Sequence, residues 1–382
     1  ANLVFSCSLL KAFKPNFHPS KHSLKSLSSM DSQANPFPST FKVKSAAEDG
    51  ENYIGTHSGT FHCDEALACG ILKTLPEFSN YHILRTRNQS ELEKCKVVAD
   101  VGGVYDSKNL RFDHHQKTFD GTMSELGCVT RLSSAGLIYR HFGHTFLREV
   151  IKNRIPDDVI EKVIYRKIYL NFIEEVDGVD NGINPFEGPP KYAVTSALSS
   201  RVGNLNPAWN SKRTESEENE NFIQAVCLAT SELISSVEDL VNVWWPAREL
   251  VENSMKGSKL IDPSGQILRL DHYCPWKQHL HDLEKEMGIF GRTKFVLYSS
   301  DGKEWRLQTV PLNNSGFENR VPLLKEWWGL RSEKLCEASG IQGCVFVHAN
   351  GFIGGNETFE GAFEMAQLSI KQCNGLPKSV QK

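Results

Sequence analysis

The chain is 382 residues long, with 40% hydrophobic and 23% charged residues and a formal net charge of -3. Such a length suits two domains plus extensions. The charge excludes a strongly basic chain that coats nucleic acid through charge alone, though not a local basic groove, and no apolar run approaches the length needed to span a bilayer.

Residues 1–30 contain no Asp or Glu but hold Lys11, Lys14, Lys21 and Lys25 among serines. That is the composition of an organellar transit peptide. A disordered extension is therefore expected over residues 1–50. It is a targeting segment for mitochondrion or chloroplast, a merely disordered tail, or an upstream extension before a second start at Met30. Ten cysteines are scattered without a CxxC pair, which predicts reduced, mostly packing thiols in an intracellular compartment.

Regular structure begins at Tyr53. A short buried strand over 53–56 runs into a polar loop, and Asp64 opens a helix to residue 75 with Asp64 and Glu65 in its first turn, where negative charge is favourable. Apolar strands follow at 81–85, 97–101 and 110–112, with a helix over about 129–142. This alternation predicts an α/β domain with a mainly parallel sheet flanked by helices, over 51–205. An amphipathic helix spans about 157–176 and stops at Asp177-Gly178. The polar stretch 204–221 reads as a loop, with the hinge in it or just after it, and 206–255 as linker and bridging helix. A smaller α+β domain takes 256–382, with strands at 295–298, 305–310 and 345–348 and a helix over 357–370.

Four constellations carry chemistry. His57-Ser-Gly-Thr-Phe-His62-Cys-Asp64-Glu65 puts two imidazoles and a carboxylate just past a strand, where open α/β sheets place their sites. Imidazole plus carboxylate suits Mn, Fe, Co or Zn; the plain alternative is two surface histidines in a polar loop. Asp100 closes an apolar strand at the same edge. Asp113-His114-His115 follows another. On an extended chain Asp113 and His115 share a side, so one group can bind metal while a neighbour orients it. Glu174, Glu175, Asp177 and Asp180 crowd a helix C-terminus, which disfavours negative charge. A bound cation would offset them, and an exposed acidic turn is the alternative. Together these donors suit a pair of divalent ions roughly 3.5–4 Å apart.

In this order the motifs resemble the DHH phosphoesterase superfamily, which includes RecJ-type exonucleases and manganese-dependent pyrophosphatases. The nearer resemblance is to the melanocyte-proliferating-gene (Myg) branch. It is carried by Thr56-His-Ser-Gly-Thr-Phe-His-Cys-Asp-Glu-Ala-Leu-Ala68, Phe112-Asp-His-His-Gln116 and Glu174-Glu-Val-Asp-Gly-Val-Asp-Asn-Gly182. The resemblance implies a DHH-type catalytic domain and a 3′–5′ exonuclease acting on the single-stranded end of RNA in mitochondria and in the nucleus or nucleolus. It implies two cations, Mn²⁺ first, with Mg²⁺, Fe²⁺, Co²⁺ or Zn²⁺ open. His57 and His62 would bind one, Asp64 and His114 the other, Asp100 would bridge, and Asp177 would complete the first, with Asp180 in reserve. Asp113 would orient a neighbour and His115 would face the scissile phosphate. His62 falls where the wider superfamily has a carboxylate, which leaves the metal open.

In the last third, a glycine-rich stretch from His348 through Gly354 and Gly355 reads as a strand-to-helix turn able to approach an anion, or as a simple tight turn. The superfamily resemblance implies that it grips substrate, with Arg320 a candidate phosphate contact. Trp244-Trp245 and Trp327-Trp328 could stack bases, but paired tryptophans at helical positions are more often packing groups. A zinc deaminase is excluded, because no Pro-Cys-x-x-Cys follows. Hydrolysis of pyrophosphate or small dinucleotides, and a metal-binding scaffold without activity, remain the other readings.

Overall fold

The computed structural model describes residues 42–375, apart from 213, 301 and 314–317. Six strands form the first sheet: β1 (Val43–Lys44), β2 (Tyr53–Thr56), β3 (His82–Arg85), β4 (Val97–Ala99), β5 (Tyr105–Asp106) and β6 (Arg111–Phe112). Their order is β1-β3-β2-β4-β6-β5, and every neighbouring pair is parallel except β5 with β6. The continuous burial of β2 and β4 is what a parallel sheet covered on both faces demands. Helix α1 (Cys63–Thr74) is buried from Cys63 to Lys73 and packs between α2 (Ser134–Ile151) and a later helix, α5 (Glu215–Asp239).

Helix α3 runs unbroken over residues 157–180, with two widened π-type stretches at 160–164 and 169–173. It continues past the expected stop at Asp177-Gly178, which changes where its acids point. After the short α4 (Leu198–Gly203) comes α5, whose Phe222, Ala225, Val226, Ala229 and Leu233 sit in the core of the first domain. The expected linker over 206–255 is thus split: α5 belongs to the first domain, and α6 (Ala247–Ile261) packs against the second sheet. Within the stretch expected to hold the hinge, α5 begins at Glu215. Asn206 clamps the loop before α1, accepting from Phe61 N at 2.9 Å and donating to Phe61 O at 2.8 Å.

The second sheet has strands β7 (Ile267–Leu270), β8 (Phe295–Ser300), β9 (Glu304–Thr309), β10 (Cys344–Val347) and β11 (Ile353–Asn356) in the order β10-β11-β9-β8-β7. Only β7 with β8 is parallel. One face packs on α6 and α7 (Trp276–Glu286), the other on α8 (Ser332–Ser339) and α9 (Phe359–Gly375). This is the expected smaller α+β unit. The expected extension over 1–50 is shortened, since Val43–Lys44 pairs with β3 as an edge strand; residues 1–41 lie outside the described residues. Among the described residues Cys63, Cys69, Cys95, Cys128, Cys227, Cys274, Cys336 and Cys344 are free thiols.

Candidate metal centre

Three parallel strands end at one edge and hand their next residues to one cavity of about 870 Å³: β2 delivers His57, β4 Asp100, and β6 Asp113 and His114. The N-terminus of α1 adds Asp64 and the end of α3 adds Asp180. Backbone geometry helps to aim these groups. Asp100 sits at φ 64°, a left-handed conformation that Asp tolerates better than most residues, and so the chain turns sharply at the strand end. Below the His57 loop, the buried Arg85 guanidinium donates to Gly59 O and lies over the rings of Phe61 and Phe222, 5.5 and 4.6 Å from their centroids.

Asp100 stands between two histidines. Its Oδ2 is 3.3 Å from His57 Nε2 and its Oδ1 is 3.4 Å from His114 Nε2. His57 Nε2 also meets Glu65 Oε1 at 2.9 Å, and His114 Nε2 meets Asp180 Oδ2 at 3.1 Å. Ser134 Oγ donates to Asp100 Oδ1 at 3.1 Å. Asp64 is wholly buried, and neither of its oxygens has a hydrogen-bond partner. Both ring nitrogens of His114 likewise lack an aligned partner, the contact to Asp180 being close but poorly directed.

Electrostatics follow from that crowding. Burial, then the neighbouring Asp100 and Glu65 charges, push the Asp64 carboxyl well above its ordinary range. Burial alone would lower the His57 pKa, but Asp100 and Glu65 outweigh it and raise it to about 10. The same balance, with Asp100 and Asp180 as partners, raises His114 to about 9. Burial opposes ionisation of Asp100, yet His114 and His57 hold it well below the usual carboxylate range. An unpartnered carboxylate in a dry site is costly, and a divalent cation offsets that cost. The donors fit one: His57, His62 and Glu65, then Asp100, His114 and His115, then His62, Asp64 and Asp180 each bring ligand atoms within 4.8 Å of one another. A fourth grouping, Asp64, Glu65 and Asp100, shares a member with each of the other three, so the cluster is continuous. Cys63 lines the same cavity, and burial raises its thiol to about 12.

Asp113 accepts from Gly103 N at 2.6 Å, His115 N at 3.0 Å and His115 Nδ1 at 2.8 Å. It fixes the half-exposed His115 imidazole and the Gly102-Gly103 turn. His62 is exposed at the start of α1, its ring centroid 6.0 Å from that of His57, and its backbone N–H is capped by Glu65.

Asp177 is not brought to the cavity. Its carboxylate accepts from Ser133 N (2.9 Å), Ser133 Oγ (2.7 Å), Gly136 N (3.0 Å) and Tyr169 OH (3.0 Å). The positive partner expected for this acid is the N-terminus of α2, whose free N–H groups favour an anion. A Cβ at Gly136 would meet Asp177 Oδ1 at 2.4 Å, so glycine is what admits it. Because α3 continues for another turn, Asp180 faces the cavity instead.

The second-domain candidates are also placed elsewhere, for every residue lining the cavity lies between 57 and 203. Arg320 is buried and spent on Glu284 Oε2 at 2.7 Å and Thr293 O at 2.9 Å. Gly354 and Gly355 lie inside strand β11, not in a turn before a helix. A Cβ at Gly355 would come within 2.5 Å of Arg306 Nη1, so glycine there serves packing. His348 is exposed beyond β10, where its Nδ1 accepts from Asn350 N at 3.1 Å. Trp244 stacks on His279 and carries Lys167 Nζ 3.9 Å above its ring, and Trp327 is buried in the second core: these are packing roles.

Sequence reasoning missed three residues of the cavity region. Glu65 was read only as a favourable charge at a helix start, although the His62-x-x-Glu65 spacing is that of a capping box. Arg87 and Arg131 line the cavity and lie in no motif.

A cavity of histidines and carboxylates at the C-terminal edge of a parallel sheet, built around an unpartnered acid, defines a metal-binding α/β protein. The family model described as "Uncharacterised protein family (UPF0160)", the MYG1 exonuclease model, matches residues 53–370. The chain is 47% identical to the MYG1 exonuclease of Bos taurus over 325 residues, covering 84% of each chain. It is 46% identical to that of Homo sapiens over 331 residues, covering 85% of this chain and 87% of the other. The chain belongs to the MYG1 exonuclease family. A likeness to the crystal structure of exonuclease RecJ bound to manganese covers 86% of this chain at 10% identity, but with a TM-score of 0.22 it carries no argument.

Proposed function

We propose that the chain is a metal-dependent exonuclease that hydrolyses RNA from a single-stranded 3′ end, with two divalent cations, Mn²⁺ first among them. The family membership supports the activity. The observation that carries the metal is Asp64, a fully buried carboxylate with no partner, flanked by two further acids. One cation would be held by His57, His62 and Glu65, the other by His114 and Asp180, with Asp100 reaching both and Asp64 between. Bound there, such ions acidify a water and polarise a phosphoryl oxygen. The protein's own groups do the rest. Asp113 holds His115 by its Nδ1, which leaves Nε2 as the atom that gives or takes a proton at the reacting phosphate. Buried Ser134 fixes the direction of Asp100. No helix among the described residues is long and apolar enough to cross a membrane.

The test is a metal analysis combined with a nuclease assay on a 5′-labelled RNA oligomer. Stepwise shortening from the 3′ end, lost in Asp64→Asn and His114→Ala, is the expected result. Turnover of pyrophosphate or a dinucleotide with none of the oligomer would replace the substrate, and metal content without turnover of any phosphoester would replace the enzyme with a scaffold. The basic, acid-free residues 1–30 favour import into an organelle; a fluorescent fusion of that segment that stays diffuse in the cytosol would refute this.

A further inference from the structure

The cavity holds two cationic side chains, Arg87 and Arg131. Several guanidinium groups among the described residues are already neutralised: Arg148, Arg154, Arg201, Arg248 and Arg320 each meet a carboxylate within 4 Å. Arg87 and Arg131 do not, among the described residues, although the same cavity contains Asp64, Asp100, Asp113 and Asp180. Arg87 donates from Nε to Ser58 O at 3.2 Å and has Nη2 3.1 Å from His57 Nδ1. Arg131 donates from Nη2 to His114 O at 2.6 Å, lies over the Phe119 ring at 5.6 Å, and has a buried Nε with no hydrogen-bond partner. Each is tied to its own side of the site and keeps donors to spare.

The sheet order sets their separation. Arg87 follows β3, His57 follows β2, Asp100 follows β4, and His114, to which Arg131 is bonded, follows β6, in the order β3-β2-β4-β6. Arg87 therefore reaches the cluster at His57 and Arg131 at His114, on either side of Asp100 and two strand spacings apart, about 9.5 Å at the backbone of those histidines. Fork-shaped guanidinium groups suit phosphate oxygens. Held to opposite sides by backbone carbonyls, they suit a ligand carrying more than one phosphate better than a single small ester.

We propose that Arg87 and Arg131 are a phosphate clamp. They grip the backbone phosphates on either side of the scissile one and so make the site selective for a polynucleotide chain. This rests on the nuclease reading above. It assigns the preference for a chain to the first domain itself, without any residue of the second.

The experiment uses the full chain, loaded with Mn²⁺, and the variants Arg87→Gln and Arg131→Gln. Glutamine removes the charge, yet at position 131 its amide can still reach His114 O. Binding of a fluorescein-labelled, non-hydrolysable phosphorothioate RNA decamer is followed by anisotropy against salt, and turnover is measured on the same decamer unmodified and on bis(p-nitrophenyl) phosphate. The slope of log K against log salt should flatten by about 0.7 for each arginine lost. KM for the decamer should rise roughly tenfold, the equivalent of about 1.4 kcal/mol, while turnover of the small ester stays within about twofold. Unchanged slope and KM in both variants would overturn the clamp. So would an equal loss on decamer and small ester, which would mark the arginines as part of the hydrolytic machinery or the fold. A wild-type protein that binds the decamer with a salt slope sensitive to both arginines, yet cleaves nothing, defeats the nuclease reading and leaves the clamp standing.

Discussion

Asp177→Ala and Asp180→Ala lie three residues apart on one helix and should have opposite consequences. Asp177 is fully buried and accepts four hydrogen bonds, three from the first turn of α2 and one from Tyr169. Its removal strands those donors. At roughly 1 kcal/mol for each, the low end for buried unsatisfied groups because serine can rotate and water can enter, the loss is about 4 kcal/mol. In a domain of some two hundred residues that lowers the melting temperature by about 8–16 °C. Asp180 is partly exposed, pairs with His114 at 3.1 Å and faces the acid Asp64, so the melting temperature of its metal-free variant should move by no more than about 2 °C. Metal affinity should respond the other way. Asp180→Ala should bind Mn²⁺ at least tenfold more weakly, whereas Asp177→Asn, which matches the shape of the protonated acid, should bind it nearly as the wild type does. Thermal melts in chelator, paired with calorimetric Mn²⁺ titrations, read both quantities. If Asp177→Ala melts like the wild type but fails to load metal, the division of labour argued here is wrong.

Three further outcomes follow from the same cluster. Asp64→Asn should raise the melting temperature of the metal-free protein, since burial and the neighbouring acids already disfavour its charge, and should abolish tight metal binding; a lower melting temperature in chelator would count against an unpartnered charge. Loading should release protons, because His57 and His114 are raised to about 10 and about 9 in the metal-free site and only neutral imidazole ligates. Affinity should then climb with pH by about two decades per unit between roughly pH 7 and 8.5, while the metal-free fold loses the stability these pairs give as pH rises from above 6.5 through 9 and 10; a pH-independent titration would refute the linkage. Glu65→Ala should weaken Mn²⁺ binding and also lower stability, as it frees both His57 and the cap on His62 N; a change in neither would remove Glu65 from the site.

How far the site could be read from the sequence depended on whether a residue's role was local. His57, Asp100 and His114 each follow an apolar strand directly, and a parallel sheet brings the ends of its strands to one edge, so a linear pattern was enough to gather them. Asp177 shows what such a pattern omits. Both Asp177 and Asp180 are acids near a helix end, and the choice between them turned on an N-terminus more than forty residues away in the chain, together with a glycine that leaves room for the carboxylate. The same limit applied to α5. Its polar, charged start reads as a linker, but Phe222, Ala225, Ala229 and Leu233 form a buried stripe against α1, and tertiary packing took the helix into the first domain. Arg320 and the Gly354-Gly355 pair failed for a related reason: a cation or a glycine gains its meaning from what lies opposite, here Glu284 and the Arg306 side chain.

The arrangement of strands also explains why Asp100 occupies the centre. β4 lies between β2 and β6 in the sheet although it falls between them in sequence only after the β3 excursion. That crossover order sets a carboxylate between the two histidine-bearing strands, one oxygen toward each. Had β4 been at the edge, Asp100 could have met one imidazole at most, and the cluster would hold separate donor groups with no shared acid. The strand order thus sets one carboxylate within reach of both imidazoles, and Asp100→Ala should cost more metal than either His57→Ala or His114→Ala. Loss of half the bound Mn²⁺ in each histidine variant, and of nearly all of it in Asp100→Ala, would fit a shared ligand; equal losses in all three would mean that the ions, if two, are held independently.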